Sequence, residues 1–242
     1  AVHWSGRKQC WPALSAQKAV AVVGTRRPSD HGYRMAHALG QCLARAGWPV
    51  VSGLAEGIDA ASHHGCLAAG GLPVGVLGTP LDRVYPSEHE ALQAQVESAG
   101  LLLSEWPRGA RVQRSNFALR NRLLVSVSCA LVVVECPETS GSLLSAQIAH
   151  TQDCPVWVVP GDALRWSSKG SNRLLQEGAT PLLTPESLIA SLGPGPLASA
   201  KTASMALDRS PSSGDRKPSL LRGVDEGLTL EQLSAALRCS PT

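Results

Sequence analysis

The sequence is poor in aromatic residues, which make up 4% of its 242 positions and include one Phe and two Tyr. No apolar run approaches the roughly 20 residues that a membrane-spanning helix requires, and no signal-peptide pattern is visible. The seven cysteines form no Cys-x-x-Cys pair, which disfavours a zinc site or a disulfide framework and favours reduced thiols. We therefore expect a cytoplasmic protein with no metal, no cofactor and no membrane partner.

An excess of one charge is also lacking. Lys and Arg number 22 against 19 for Asp and Glu, which gives a net charge of +3. The charge of the whole chain therefore does not indicate a nucleic-acid partner, and that interpretation must rest on local clustering. The most basic stretch is 105–122, which has one acid, Glu105. Its arginines are Arg108, Arg111, Arg114, Arg120 and Arg122.

Ala, Leu, Val and Gly are abundant, and from residue 18 onwards short apolar segments alternate with helical ones. This alternation predicts right-handed βαβ crossovers and a doubly wound, mostly parallel α/β sheet with helices on both faces. The predicted strands are 18–23, 49–53, 73–78, 101–105, 130–135, 155–161 and 180–184. The predicted helices are 31–47, 58–71, 87–100, 117–128, 140–153, 170–178 and 185–193.

The two ends of the chain differ from the middle in pattern. Residues 1–17 lack clear periodicity and are interpreted as a lead-in segment to an α/β domain at 18–192. Residues 193–222 are rich in Pro, Ser, Gly and Ala, a composition typical of a disordered linker. Residues 223–242 return to a helical pattern and form either the first helix of a small module or an isolated tail.

Small residues follow several of the predicted strands. In open parallel sheets, ligands bind beyond the carboxyl ends of the strands. Gly, Ser and Thr allow close approach of a backbone there and leave amide groups directed outward at helix N-termini, an arrangement that holds phosphates. The residues concerned are Gly24, Thr25, Ser52, Gly53, Ser140, Gly141 and Ser142.

Two basic residues accompany these turns. The first strand ends in GTRRPS, where a dinucleotide site would need GxGxxG, so a plain NAD site is disfavoured. Arg26 in that segment is poorly placed against a helix dipole, and its guanidinium has bidentate reach to a phosphate, which favours a functional role. Lys169 precedes the short helix that contains Asn172 and either reaches a phosphate or is simply solvated; Asn172 is a candidate helix N-cap.

Arg120 and Arg122 stand two residues apart in a predicted helix, with Asn121 between them, and so face different sides. One of the two arginines is expected to bind a ligand, while the other pairs with a core acid. Glu135 and Asp59 are the candidate acids. The sequence leaves open which arginine has which role.

Signals of catalysis are weak. The sequence has no GxSxG, HExxH or Walker A motif. Asp59 and His63 share one helix face, and with Ser52 they leave a hydrolytic triad as a minor alternative. The pair His63-His64 fits helix packing better than metal binding, because no acidic or thiol ligand stands at metal spacing nearby.

Six motifs, in order, resemble the DNA-processing protein A family over residues 18–192: VAVVGTRRPSDHG, VVSGLAEGIDAASHHGCLAAGG, FALRNRLLVSVS, SGSLLSAQIAH, VVPG and GSNRLLQEGA. The resemblance implies an extended Rossmann-like domain that binds single-stranded DNA. It also implies a recombination mediator that protects incoming strands and loads RecA recombinase during natural transformation, as a homodimer and with no established catalysis.

Carried over by motif, the resemblance implies a DNA pocket that includes the small residues above and several polar ones. The additional residues are Arg26, Asn121, Arg122, Lys169, Gly170 and Asn172. The sequence departs from the family at Glu56, where SGLARGID has Arg, and at Val125-Ser126, where Ala-Gly is usual. The segment DEGLTLEQLSAALR looks like the first helix of the winged-helix module that many members carry.

Aromatic platforms for stacked bases are scarce near this pocket, with Phe117, Trp106 and Trp166 as the candidates, so we expect backbone-led, sequence-tolerant binding. One alternative is a phosphoribohydrolase-like nucleotide enzyme with Glu135 or Asp59 as the acid. Its PGGxGTxxE stretch reads PETSGSLLSA here and lacks the final Glu, which counts against it. A second alternative is a RecA-binding or dimer scaffold with a decayed DNA site, which Glu56 favours.

Overall fold

The computed structural model describes residues 1–198, which form an eight-stranded sheet in the order β1-β5-β4-β3-β2-β6-β7-β8. Strand β1 runs antiparallel to β5, and all other neighbours are parallel. The strands are β1 His3–Gly6, β2 Val20–Val23, β3 Val50–Ser52, β4 Pro73–Leu77, β5 Leu101–Ser104, β6 Ala130–Val133, β7 Val156–Val158 and β8 Thr180–Pro181. The doubly wound, mostly parallel sheet predicted from the sequence is therefore confirmed.

The helices of the described residues cover both faces of the sheet. They are α1 Trp11–Ser15, α2 Asp30–Arg45, α3 Ile58–Ala68, α4 Glu90–Ala99, α5 Arg114–Leu119, α6 Asn121–Ser126, α7 Gly141–Thr151, α8 Lys169–Gln176 and α9 Pro185–Leu192. Side-chain oxygens at Ser29, Ser140 and Thr184 accept hydrogen bonds from the first turns of α2, α7 and α9, as N-caps do. Within residues 1–198, no helix combines the length and apolarity needed to cross a membrane.

Strand β2 shows how the sheet separates two hydrophobic cores. Val20 and Val22 pack on one face with α2, α3 and α9, whereas Ala21 and Val23 pack on the other with α1, α6 and α7. Burial of each Val side chain contributes about 1.5–3 kcal/mol relative to exposure. A strand buried on both faces reads as a continuous apolar run, which is why the sequence located it correctly.

The lead-in interpretation of residues 1–17 was wrong, because this segment belongs to the sheet. Residues His3–Gly6 pair in register with Leu101–Ser104. Trp11 and Leu14 are buried in the core that contains Ala21 and Val23. The strand was missed because His-Trp-Ser-Gly at a sheet edge shows no apolar alternation. The α/β unit therefore begins near residue 3.

The C-terminal boundary at 192 was also set too early. Trp48 Nε1 donates to the carbonyl of Gly193 at 3.0 Å, and the amides of Gly195 and Leu197 donate to Ala46 and Gly47. Residues 193–198 are therefore tied to the end of α2 rather than forming the start of a free linker. The remaining linker prediction, 199–222, and the predicted tail, 223–242, lie outside the described residues.

Candidate nucleic-acid interface

A cleft of about 540 Å³ opens between the carboxyl ends of β2 and β6. Strands β3, β4 and β5 follow one another outward on one side of β2, and strands β6, β7 and β8 follow one another outward on its other side. The strand order therefore reverses at this point, which is where open α/β sheets bind ligands. We call it the switch-point cleft. It is lined by Val23, Gly24, Thr25, Arg26, Arg27, Ala55, Asp59, Arg114, Phe117, Ala118, Arg120, Asn121, Leu124, Pro137, Thr139, Ser140, Gly141, Ser142, Ser145 and Trp166.

The first wall is the turn after β2. The amide of Thr25 donates to the carbonyl of Glu135 at 2.7 Å, and the Thr25 hydroxyl accepts from the amide of Arg27 at 3.2 Å. A Cβ on Gly24 would lie 2.6 Å from Ile58 and 2.9 Å from the Glu135 carbonyl, so this turn requires glycine. These contacts hold the backbone while the side chains of Arg26 and Arg27 stay exposed.

The second wall is the N-terminus of α7. The Ser142 hydroxyl donates to the carbonyl of Gly24 at 3.0 Å, and Asn121 Nδ2 donates to the carbonyl of Gly141 at 3.3 Å. The first turn of α7 contains no acidic residue, so the positive end of the helix dipole is not neutralised within its own turn. Gly141 is open to solvent, with no atom within 4 Å of where a Cβ would be. The loops after β2 and β6 thus face each other across a shared cleft.

The floor of the cleft contains a buried acid and a buried base. Asp59 Oδ2 accepts from the amide of Gly53 at 3.1 Å and from that of Ala55 at 3.4 Å, and Arg120 donates to the carbonyl of Val76. Burial raises the pKa of Asp59, and Arg120 opposes that rise. Burial likewise lowers the pKa of Arg120, and Asp59 opposes the decrease. Arg120 is thus the arginine that faces a core acid.

Arg122, the other arginine of the motif, lies outside the cleft lining. Its Nη2 atom forms an ion pair with Glu105 Oε1 at 3.0 Å. The single helix expected at 117–128 is instead α5 and α6, which meet at Arg120, where the Leu123 amide reaches back three residues to the Arg120 carbonyl. Because Arg120 is drawn into the floor, Arg122 faces β5 rather than the turn after β2.

The segment from Lys169 to Asn172 is also outside the cleft lining. Asn172 forms two hydrogen bonds with Gly161, donating to its carbonyl and accepting from its amide, both at 3.1 Å. It lies inside α8, whose N-cap position is Ser168, so the N-cap prediction for Asn172 was wrong. Gly170 packs against the carbonyls of Cys136 and Pro137. These residues support the loop after β7.

Ser52 and Gly53 lie beneath the cleft rather than on its surface. Ser52 is fully buried and its hydroxyl donates to the Val22 carbonyl at 2.6 Å. His63 is fully buried too, and burial lowers its pKa to about 3, so the ring is neutral at physiological pH. A hydrolytic triad of Ser52, Asp59 and His63 is disfavoured, because the hydroxyl is engaged with the backbone and His63 does not reach the cleft.

Glu135, the acid of the phosphoribohydrolase alternative, is engaged in local structure. Its carboxylate accepts hydrogen bonds from the amide and hydroxyl of Ser29 and from the hydroxyl of Ser167. It is buried, and it lines a separate cleft of about 220 Å³ beside the start of α2. These contacts assign Glu135 to holding α2 and the loop after β7, and they count against a role as a catalytic acid in the switch-point cleft.

Seven of the thirteen residues expected at the site line the switch-point cleft: Gly24, Thr25, Arg26, Asn121, Ser140, Gly141 and Ser142. The other six do not: Ser52, Gly53, Arg122, Lys169, Gly170 and Asn172. Sequence reasoning left out two exposed arginines of the lining, Arg27 and Arg114. The sequence signals for Arg27 and Arg114 were the consecutive arginines after β2 and the basic stretch 105–122.

The fold and the cleft define a doubly wound α/β protein with exposed arginines at the switch point of its sheet. The chain belongs to the DNA recombination-mediator protein A family, whose model matches residues 9–193. It is 41% identical over 196 residues to the protein Smf of Synechocystis, covering 81% of this chain and 49% of that protein. The chain thus spans about half the length of that relative.

Two solved structures are also similar. DNA processing protein A from Streptococcus pneumoniae superposes with a TM-score of 0.72 at 32% identity, over 78% of this chain and 65% of that one. DNA processing protein A from Helicobacter pylori, in a structure that addresses its single-stranded DNA binding mode, superposes with a TM-score of 0.71 at 29% identity, over 79% and 86%. The extended Rossmann-like fold is therefore confirmed.

Proposed function

We propose that this chain binds single-stranded DNA in the switch-point cleft and acts as a recombination mediator rather than as an enzyme. The observation that carries the proposal is the exposed side chain of Arg26, with Arg27 and Arg114, in a cleft whose far wall is the N-terminus of α7. The binding mode addressed for the Helicobacter pylori relative supports the same class of ligand.

The chemistry of the cleft suits a phosphate backbone. Guanidinium groups bind phosphate oxygens through paired, charge-assisted hydrogen bonds, and the positive end of α7 adds a favourable potential for an anion. The acid in the lining, Asp59, is 6% exposed and faces Arg120, so it adds little repulsion at the surface. Contacts of this kind do not read sequence, and their strength decreases as salt increases.

The test compares Arg26→Ala with a matched variant outside the cleft. Arg173→Ala removes an exposed arginine that pairs with Glu177 at 2.8 Å. With a labelled single-stranded oligonucleotide, we expect Arg26→Ala to weaken binding about 10-fold in fluorescence anisotropy and to reduce the salt slope by about 0.7, the value for one phosphate contact. Arg173→Ala should bind as the wild type does, and equal behaviour of the two variants would contradict the proposal.

The finer functions follow from the same proposal. We infer that the protein protects the bound strand and loads RecA recombinase on it during natural transformation, and that it works as a homodimer in the cytoplasm. Two clefts on one strand would raise the effective affinity without new contacts. Sedimentation velocity tests for the dimer, and RecA assembly on DNA coated with a single-strand-binding protein tests for loading. A monomer at micromolar concentration, or assembly that does not depend on Arg26, would contradict these functions.

A further inference from the structure

Trp166 is unusual among the tryptophans of this chain. All six lie within residues 1–198, and Trp166 is the one whose side chain is mostly exposed, at 61%, whereas Trp11 and Trp48 are 5% and 7% exposed. Exposure of a large indole forfeits hydrophobic stabilisation. Trp166 lies in the lining of the switch-point cleft. Its position therefore calls for an explanation other than packing.

The backbone that carries Trp166 is firmly held. The neighbouring Ser167 hydroxyl donates to the buried carboxylate of Glu135, and the amide of Ser168 donates to the carbonyl of Arg165 at 3.0 Å. Ser168 is 3% exposed. Within residues 1–198, the ring contacts between aromatic side chains are Trp4 with Trp11 and Tyr85 with Phe117, so the indole of Trp166 has no aromatic neighbour. A mostly exposed indole is thus carried on a backbone segment that is held in place.

The surroundings of the ring favour one kind of ligand. The same cleft presents Arg26, Arg27 and Arg114 together with the N-terminus of α7. A flat aromatic face beside a cationic groove is the combination that single-strand binders use, with phosphates on the charges and bases on the rings. An apolar protein segment would leave these guanidinium groups without anionic partners, whereas a nucleotide matches both features.

We propose that Trp166 forms a nucleobase subsite, in which the indole stacks on one base of the strand whose phosphates contact the cleft. This inference rests on the proposed function and adds one stacked base to the backbone-led binding expected from the sequence. Because every base has a π-face, the subsite raises affinity without reading sequence. The ligand class is any unpaired nucleotide with its base unstacked from its neighbours.

The test is a thermodynamic cycle that combines a substitution in the protein with removal of the bases from the ligand. The probes are a labelled oligo-dT and an oligonucleotide of the same length made of abasic deoxyribose phosphates. We expect Trp166→Ala to weaken binding of oligo-dT about 10-fold and binding of the abasic strand less than 2-fold. Trp166→Phe, which keeps a ring, should retain most of the affinity for oligo-dT.

The matched control is Leu164→Ala, which removes a side chain that is 92% exposed in the same loop and does not line the cleft. It should leave the binding of both probes unchanged. Equal losses on both probes for Trp166→Ala, or no loss on either, would overturn the subsite. If the wild type and Arg26→Ala bind oligo-dT equally, the proposed function fails; if only the Trp166 cycle shows no coupling, the subsite alone fails.

Discussion

The guanidinium of Arg120 packs directly against the Cα of Gly53. A Cβ at position 53 would lie 2.0 Å from Nη1 of Arg120, which is 6% exposed and donates to the Val76 carbonyl. The amide of Gly53 meanwhile donates to Asp59. The glycine is therefore required by the close packing of Arg120, beside the Gly53 amide that is hydrogen-bonded to Asp59 beneath the cleft.

This packing predicts that Gly53→Ala lowers the free energy of unfolding by about 2 kcal/mol, since a methyl group forced into a packed site displaces its neighbours. The control is Gly141→Ala, where nothing lies within 4 Å of the new methyl group. It should change stability by less than about 0.5 kcal/mol. Urea denaturation of both variants measures the difference, and equal losses would show that Arg120 moves aside without cost.

The electrostatic interaction between Arg120 and Asp59 leads to a second prediction. Arg120→Met removes the nearby buried cation that opposes the rise in the pKa of Asp59, and we expect a loss of about 2 kcal/mol because a buried charge is left uncompensated. Adding Asp59→Asn removes the uncompensated charge and should restore part of that loss. Denaturation of the two single variants and the double variant gives the coupling energy. Strictly additive losses would mean that the two groups do not interact.

His63 predicts a pH dependence of stability. Its pKa is about 3 in the folded protein and about 6.5 in an unfolded chain. Between these values the unfolded chain binds a proton that the folded chain does not, so stability decreases as the pH decreases through that window. From pH 7 to pH 5 the expected loss from this group is about 2 kcal/mol.

The measurement compares the wild type with His63→Phe, which keeps a ring in the buried site and removes the titration. The free energy of unfolding of the wild type should decrease by about 2 kcal/mol more than that of the variant over the same two pH units. The comparison cancels other groups, among them Asp59, whose raised pKa acts in the opposite direction. Parallel profiles for the two proteins would show that His63 is protonated without unfolding.

The sequence predicts some strands and site residues of this protein better than others. The central strands were located because burial on both faces gives continuous apolar runs, as in 130–135, whereas β1 was missed because an edge strand needs no such run. The turn after β2 and the start of α7 were expected to meet, since carboxyl ends of parallel strands share one edge. Lys169 and Asn172 were misplaced because their position depends on how the loop after β7 folds, which no periodicity encodes.

Side-chain direction was the other limit. The sequence left open whether Arg120 or Arg122 interacts with a core acid, and the structure shows that Arg120 is the buried one. Arg120 faces Asp59, and Arg122 pairs with Glu105 on β5's side of the cleft. A helical wheel places the two arginines on different sides but does not say which side faces the acid. Arg26 was therefore predictable as a cleft residue, whereas the exposure of Arg27 and Arg114 in the cleft was not.

Glu56 provides the last prediction, because it places an exposed acid next to the turn that carries Arg26. The adjacent Gly57 lies so close that a Cβ there would be 2.7 Å from the Arg26 carbonyl carbon and oxygen. Glu56→Arg should tighten binding of single-stranded DNA about 5-fold at low salt and steepen the salt slope by about 0.7 if one phosphate contact is gained. Glu56→Gln, which only removes repulsion, should give a smaller gain. Glu177→Arg makes the same charge change outside the cleft lining; equal gains for the two Arg variants would show that net charge, not the cleft, governs affinity.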